Sequence, residues 1–287
     1  MDLLASLSQF IPFGLIIIMF GMGLSLTLAD FKRVITQPTA SLAGLGGQMV
    51  ALPLIGWLTA ILFQLEAQTA VGVIILVCCA GGATSNLFSY LAKADTALSV
   101  TLTAASSCIT IITLPIVVNL ALNHFMGTEA ELSLPVGQTI QTLATMTVIP
   151  VVVGMILYAR FPKQVSQIEP WVKKLSLLVL GLIVLPTLVN APNTVAGHLT
   201  TLVPALFFLN FASMLCGHVI AKALSLNPSQ TGTLTIEVGV QNVVTAFFVA
   251  ANLIGDVSLS VPAAVYAIPM VLNAVLYILW ARRQVSP

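Results

Sequence analysis

Residues 231–253 read TGTLTIEVGVQNVVTAFFVAANL, and this stretch decides the fold. It is long and apolar enough to cross a bilayer, yet Glu237, Gln241 and Asn242 stand near its middle. A carboxylate at mid-membrane costs about 2.5–3.5 kcal/mol on insertion scales, so it normally faces a cavity and has a partner. Gly239 lies between the polar groups, where the helix can unwind and offer carbonyls. Unwound backbone at membrane depth survives only where it is buried or lines a cavity. The stretch therefore points to an ion site. The plain alternative is a structural glutamate, protonated or hydrogen-bonded between helices.

The rest of the chain shares this solvent. Of 287 residues, 58% are hydrophobic and only 7% are charged, with a mean hydropathy of +1.06. That is an integral membrane protein of helical spans. A net charge of +1 with no basic face excludes nucleic acid as a partner. Cys78, Cys79, Cys108 and Cys216 all lie in apolar runs, without metal-ligand spacing or a disulfide framework, and read as packing residues. The Met-Asp start has no basic n-region, so residues 1–28 are expected to stay as the first span rather than be cleaved.

Nine apolar segments can be counted, near 10–28, 40–63, 70–92, 96–120, 137–158, 175–191, 201–223, 231–253 and 262–281. With strict alternation all ten Lys and Arg residues fall on one side. That side is the cytoplasm, so the N-terminus is expected outside and the C-terminus inside. The third segment, VGVIILVCCAGGATSNLFSYLAKAD at 71–95, carries a break-and-cap signal at Gly81-Gly82 followed by Thr84, Ser85 and Asn86. It runs inward and the eighth runs outward. Interrupted spans in corresponding positions of two halves point to a transporter site. Four segments precede the 121–136 loop and five follow it, the layout of a five-plus-five inverted repeat that has lost its first helix.

In the fourth segment, Ser99 and Thr103 are four apart and share a helix face. Thr96, Ser106 and Ser107 add hydroxyls; such residues usually serve packing. Gln48, in GGQMVALPLIGW at 46–57, is by itself as readily an interhelical bridge as a ligand. His124 and His198 are placed in outer loops, and His218 as an interfacial hydrogen bonder. Pro186, Pro204 and Pro269 suggest kinks. No catalytic triad, carboxylate pair or zinc spacing stands out.

Taken together these residues resemble the bile acid:sodium symporter family in its nine-helix form. CCAGGATSNLFSYLAKADTALSVTLTAASS at 78–107 is similar to the family's first broken helix and the helix after it, and IEVGVQN at 236–242 to its second broken helix. MFGMGLSLTLADF at 19–31 and GGQMVALPLIGW resemble two earlier family motifs. The resemblance implies an all-α inverted-repeat transporter with two broken, crossing helices. A panel domain would comprise residues 1–38 and 137–191 (spans 1, 5 and 6). A core domain would comprise 39–120 and 200–283 (spans 2–4 and 7–9). It implies two sodium ions, one held by Ser85, Asn86, Ser99, Thr103 and Glu237. The other would be held by Gln48, Gln241 and Glu237 with the carbonyls of Val238 and Val240. Hard cations want such oxygen ligands.

Asn242 keeps a solute-contacting position of the family, with Thr84 as a second candidate. The departures from the family pattern are Ala80 for Pro, Ala83-Thr84 for Thr-Ala, Val243-Val244 for small residues, and Met270-Val271 for a His-Asn pair. They leave the ion positions alone and the solute open: a bile salt, keto acid, pantoate-like acid or sulfated compound. The function implied is sodium-coupled import of an organic anion across a cell membrane, expected to be a bacterial inner membrane, and not an enzyme. A proton-driven efflux carrier of similar architecture is the alternative. An intramembrane enzyme or non-transporting receptor is a third reading, disfavoured because Glu237 has no catalytic companion.

Overall fold

A computed structural model describes residues 9–79, 81–127, 132–195 and 199–285. The described structure is helical throughout. Helix α1 (Ile11–Gly23) is followed by α2 (Leu28–Thr36), bent from it by 71°. The first span therefore ends before residue 28. Thr27 starts a new helix there, its N–H and Oγ1 both donating to Asp30 Oδ2 at 2.7 Å, the reciprocal cap that begins helices. Helix α2 carries Asp30, Lys32 and Arg33 among apolar residues.

Helix α3 (Pro38–Gly46) widens into a π turn at Gly47–Ala51 and continues as α4 (Leu52–Leu62). Helices α5 (Ala67–Cys78) and α6 (Ala83–Leu91) are two halves of the third segment, separated by a break. Helix α7 (Thr96–Ala121) ends in a π turn, Leu122–Met126, that holds His124 against Trp57 and Phe125, so this histidine lies at a helix end and not in a loop. His198 lies outside the described residues.

The second half repeats the order. Helix α8 (Val136–Leu143) runs through a π turn, Ala144–Val148, into α9 (Ile149–Arg160). Helix α10 (Pro162–Val195) begins well before the apolar run at 175–191. Then come α11 (Leu199–Ala223), the broken pair α12 (Pro228–Gly239) and α13 (Val243–Phe248), which widens at Val249–Ile254, and finally α14 (Val261–Val285). A long helix, a broken pair and a long helix thus occur twice, as α3/α4–α5/α6–α7 and as α11–α12/α13–α14.

Among the described residues, five helical runs are long and apolar enough to cross a membrane: Pro38–Leu62, Thr96–Met126, Val136–Arg160, Leu199–Ala223 and Val257–Arg283. The bent pair α1–α2 makes a sixth if taken as one span. The chain is therefore an all-α, multi-pass membrane protein.

Helix α1 packs against α9 and α10. The first crossing is close because it is made of glycines: a Cβ on Gly154 would stand 2.7 Å from Phe20 O, and Gly23 faces the Val151 backbone. Small residues of this kind let membrane helices approach. Gly14 faces Val179 and Ile183, whereas Gly21 faces Val172 and Ser176, so α1 and α10 run antiparallel.

One end of the molecule gathers basic residues. Arg33 pairs with Asp95 at 3.4 Å, and Arg282 Nε donates to Leu91 O at 2.8 Å. Asp95 also caps α7 through Leu98 N at 3.0 Å, while Thr233 Oγ1 donates to Asp95 O at 2.9 Å.

Candidate functional site

The two breaks meet. Asn242 N–H donates to Cys79 O at 2.9 Å, a backbone bond between one interrupted helix and the other. Gly81 sits in the first break at φ +45°, a left-handed conformation that glycine adopts without cost. A Cβ there would also lie 3.3 Å from both Glu237 Oε2 and Thr103 Oγ1, so the backbone favours glycine and the space beside it is tight. Val240 (φ −103°, ψ 118°) is the extended residue of the second break. Ala80 lies outside the described residues.

A helix that stops in a membrane must place its last carbonyls. In α12 Ile236 O accepts from Val240 N at 2.8 Å, and each of the last three has a side-chain donor. Glu237 O accepts from Gln48 Nε2 at 3.0 Å, and Val238 O from Gln241 Nε2 at 2.9 Å. Gly239 O accepts from Asn210 Nδ2 and Tyr266 Oη, both at 2.8 Å. Asn210 is held in turn by Asn273 Nδ2 at 2.8 Å. The π turn at Gly47–Ala51 brings Gln48 to this point, a common use of such turns.

Glu237 is fully buried. Gln48 Nε2 donates to its Oε2 at 3.2 Å, and Ser99 Oγ donates to its Oε1. Thr103 Oγ1 lies 3.3 Å from Oε1 and 3.2 Å from Oε2. Asn86 Oδ1 faces the same hydroxyls, 2.9 Å from Ser99 Oγ and 3.3 Å from Thr103 Oγ1. Ser85 Oγ, 3.3 Å from Thr103 Oγ1, has its proton on Gly82 O at 2.8 Å.

Proton counting shows what is missing. Ser99 and Thr103 own one hydroxyl proton each, yet between them they face Asn86 Oδ1 and both Glu237 oxygens in five oxygen–oxygen contacts. Two further acceptors, Gln48 Oε1 and Gln241 Oε1, are buried with no partner at all. A buried acceptor left unpaired costs about 1–3 kcal/mol. A cluster of buried oxygens short of protons is the donor set a small hard cation takes. Ser85, Asn86, Ser99, Thr103, Glu237 and Gln48 are thus brought together, with Gln241 one turn along. Ser106 and Ser107 stay apart, both bonding to Thr103 O of their own helix. His218 Nδ1 lies 3.4 Å from Thr235 Oγ1, bridging α11 and α12.

Beside the cluster is a cavity of about 600 Å³. Thr84, Asn86, Gln241 and Asn242 line one wall, and α1 and α10 line the other. Five of the departing residues noted in the sequence, Ala83, Thr84, Val243, Val244 and Met270, line it, whereas Val271 is exposed on the outer surface. Asn242 Oδ1 caps α13 by accepting from Thr245 N at 3.1 Å. The Asn210–Tyr266–Asn273 group escaped the sequence reading. Its signal was an asparagine inside each of two apolar runs, LFFLNFASM and VLNAVL.

Residues 12–197 match the model of the sodium bile acid symporter family. The chain is 28% identical over 94% of its length to the probable sodium/metabolite cotransporter BASS2, chloroplastic, of Oryza sativa subsp. japonica. It is equally similar, over the same share, to the BASS1 counterpart of Arabidopsis thaliana. It spans 63% and 66% of the length of those two plant proteins. It is 30% identical over 82% of its length to the uncharacterized sodium-dependent transporter YocS of Bacillus subtilis, of which it covers 72%.

Proposed function

The chain belongs to the sodium bile acid symporter family, a family of transporters and not of enzymes, and from that premise we propose that it is a sodium-coupled symporter carrying an organic anion inward by alternating access. The observation that carries the reading is the proton-poor oxygen cluster at the crossing of the broken helices. One sodium ion would take Ser85, Asn86, Ser99, Thr103 and Glu237. A second would take Gln48, Gln241 and Glu237 with the carbonyls of Val238 and Val240. The cation would supply the positive charge that the donor count lacks, and Glu237 between two ions would cease to be an unpaired buried charge.

The repeated order of long helix, broken pair and long helix supports nine spans built as an inverted repeat. The packing of α1 with α9 and α10 supports a panel domain of those helices. The solute would bind in the 600 Å³ cavity between panel and core, beside Thr84 and Asn242. The grouping of Arg33 and Arg282 at one end supports a cytoplasmic placement of that end, with the N-terminus outside. The cavity reaches Tyr90 and Thr96 at the same end, the arrangement of an inward-facing state.

A proton-driven carrier fits less well. Protonating Glu237 would add one donor near Ser99 and Asn86, but would leave Gln48 Oε1 and Gln241 Oε1 unpaired. The test is a melting curve of purified protein titrated with sodium against potassium at constant ionic strength. Sodium-specific stabilisation with a Hill coefficient above one is expected. An identical response to both cations, or a response only to pH, would reject symport with sodium.

A further inference from the structure

A second polar group holds the break of α12 from behind: Asn210 of α11 with Tyr266 and Asn273 of α14. Asn210 and Tyr266 are fully buried, and none of the three lines the cavity. Helix α11 closes tightly on the break, since a Cβ on Gly239 would stand 2.2 Å from Met214 Cγ. Here every proton has a place. Asn273 Nδ2 donates to Asn210 Oδ1 at 2.8 Å, which fixes the orientation of that amide and turns its two Nδ2 protons the other way. They go to Gly239 O at 2.8 Å and to Tyr266 Oη at 2.9 Å. Tyr266 donates its own proton to Gly239 O at 2.8 Å. Unlike the cluster around Glu237, this group is not short of protons and has no use for a cation.

What the group fixes is the direction of the carbonyls. A carbonyl oxygen has two lone pairs, and Gly239 O meets two donors. Val240 is extended, with φ −103° and ψ 118°, and the carbonyls on either side of an extended residue point to opposite sides. Holding Gly239 O against α11 and α14 therefore turns Val240 O away from those helices. The Tyr266 hydroxyl also faces the Gln241 side chain. Gln241 Nε2 donates to Val238 O at 2.9 Å, and its Oε1 has no partner. Val238, Val240 and Gln241 supply three of the ligands proposed above for the second ion.

We propose that Asn210, Tyr266 and Asn273 are positioning residues for the second sodium ion. They touch neither ion nor solute, and they hold the α12 break in the one geometry that presents Gln241 and the two valine carbonyls to that ion. This deepens the transport reading and rests on it. Without the Tyr266 hydroxyl, Gly239 O keeps only Asn210 as a side-chain donor, and the peptide after Gly239 gains freedom to turn. The second ion then loses affinity. The first ion, held by Ser85, Asn86, Ser99 and Thr103 with Glu237, keeps its ligands.

Sodium chloride is the probe, titrated calorimetrically into purified solute-free protein with choline holding the ionic strength constant. Tyr266→Phe should weaken the second ion about tenfold, the scale of one hydrogen bond, and bring the sodium Hill coefficient toward one. Two backgrounds separate positioning from general loosening, because residues acting on one site are not additive. In Gln48→Ala, where the second ion is already impaired, Tyr266→Phe should add almost nothing; in Ser99→Ala it should add its full effect. Leu202→Ala, a buried position two turns earlier on α11, should lower the melting temperature yet keep the wild-type sodium curve. If Tyr266→Phe cannot be purified, Asn273→Ala, which only loosens Asn210, should shift the curve in the same direction by less. A wild-type sodium curve in Tyr266→Phe or, failing that protein, in Asn273→Ala overturns the inference. So does an effect of Tyr266→Phe that is undiminished by Gln48→Ala, or an equal loss of sodium binding in Leu202→Ala. Absence of sodium-specific binding in the wild type overturns the transport reading itself and the inference with it, and that result is read before any variant is made.

Discussion

Replacing Glu237 by Gln removes the charge shared by both proposed ions while preserving shape. In the structure the carboxylate accepts from Gln48 Nε2 on Oε2 and from Ser99 on Oε1. An amide can keep its oxygen toward Gln48 and turn its NH2 toward the Ser99 and Asn86 oxygens, so the cluster gains the donors it lacks. In sodium-free buffer the variant should melt no lower than the wild type. It also sheds a buried charge worth about 2.5–3.5 kcal/mol on insertion scales. With sodium the order reverses. A unit charge pair about 4 Å apart at an effective dielectric of 20 is worth about 4 kcal/mol, about a thousandfold in affinity. At a concentration tenfold above the wild-type Kd, each wild-type site contributes about 1.4 kcal/mol of stabilisation, and a site a thousandfold weaker contributes almost nothing. Melting curves in choline and in sodium buffers measure both effects. A Glu237→Gln protein that sodium stabilises as much as the wild type would refute the assignment of both ions.

Ser99→Ala and Thr103→Ala should weaken one ion and Gln48→Ala the other, so each should lower the sodium Hill coefficient toward one in a binding titration. Asn210→Leu strips a donor from Gly239 O and leaves Asn273 Nδ2 without its acceptor, which should destabilise by about 1–3 kcal/mol in chemical denaturation while sodium specificity persists. Ser166→Cys, in a background without Cys78, Cys79, Cys108 and Cys216, should resist impermeant thiol reagents in intact cells; ready labelling would invert the proposed topology. With two sodium ions per cycle, a monoanion moves net +1 and gains about 2.3 kcal/mol per 100 mV of inside-negative potential, whereas a dianion moves no net charge. Valinomycin-clamped vesicles loaded with potassium should show uptake of a transported monoanion, but not of a transported dianion, responding to voltage.

The sequence by itself determined the solvent of this protein and the identity of its polar centre. Charged residues are so few that Glu237, Gln241 and Asn242 inside an apolar run stand out, because burying them without a partner is costly. Gly81-Gly82 and Gly239 mark breaks for an equally local reason, since backbone conformation is set by neighbouring atoms. The bend after Gly23 was also local, written in Thr27 and Asp30, but it hides inside an apolar segment where hydropathy reads straight through it. What required the tertiary structure is everything that depends on residues far apart in the chain. Gln48 and Glu237 are separated by 189 positions and Asn210 and Tyr266 by 56, and no periodicity relates them. Ser99, Ser106 and Ser107 look alike as letters; only packing decides that Ser99 faces a carboxylate while the others bond to their own helix. Lys174 reads as one more basic residue on the inner side until α1 and α10 pack antiparallel and turn it into a cavity wall. Composition and local sterics act through neighbours along the chain. Hydrogen-bond deficits and cavities arise between helices, and they exist only once the helices have met.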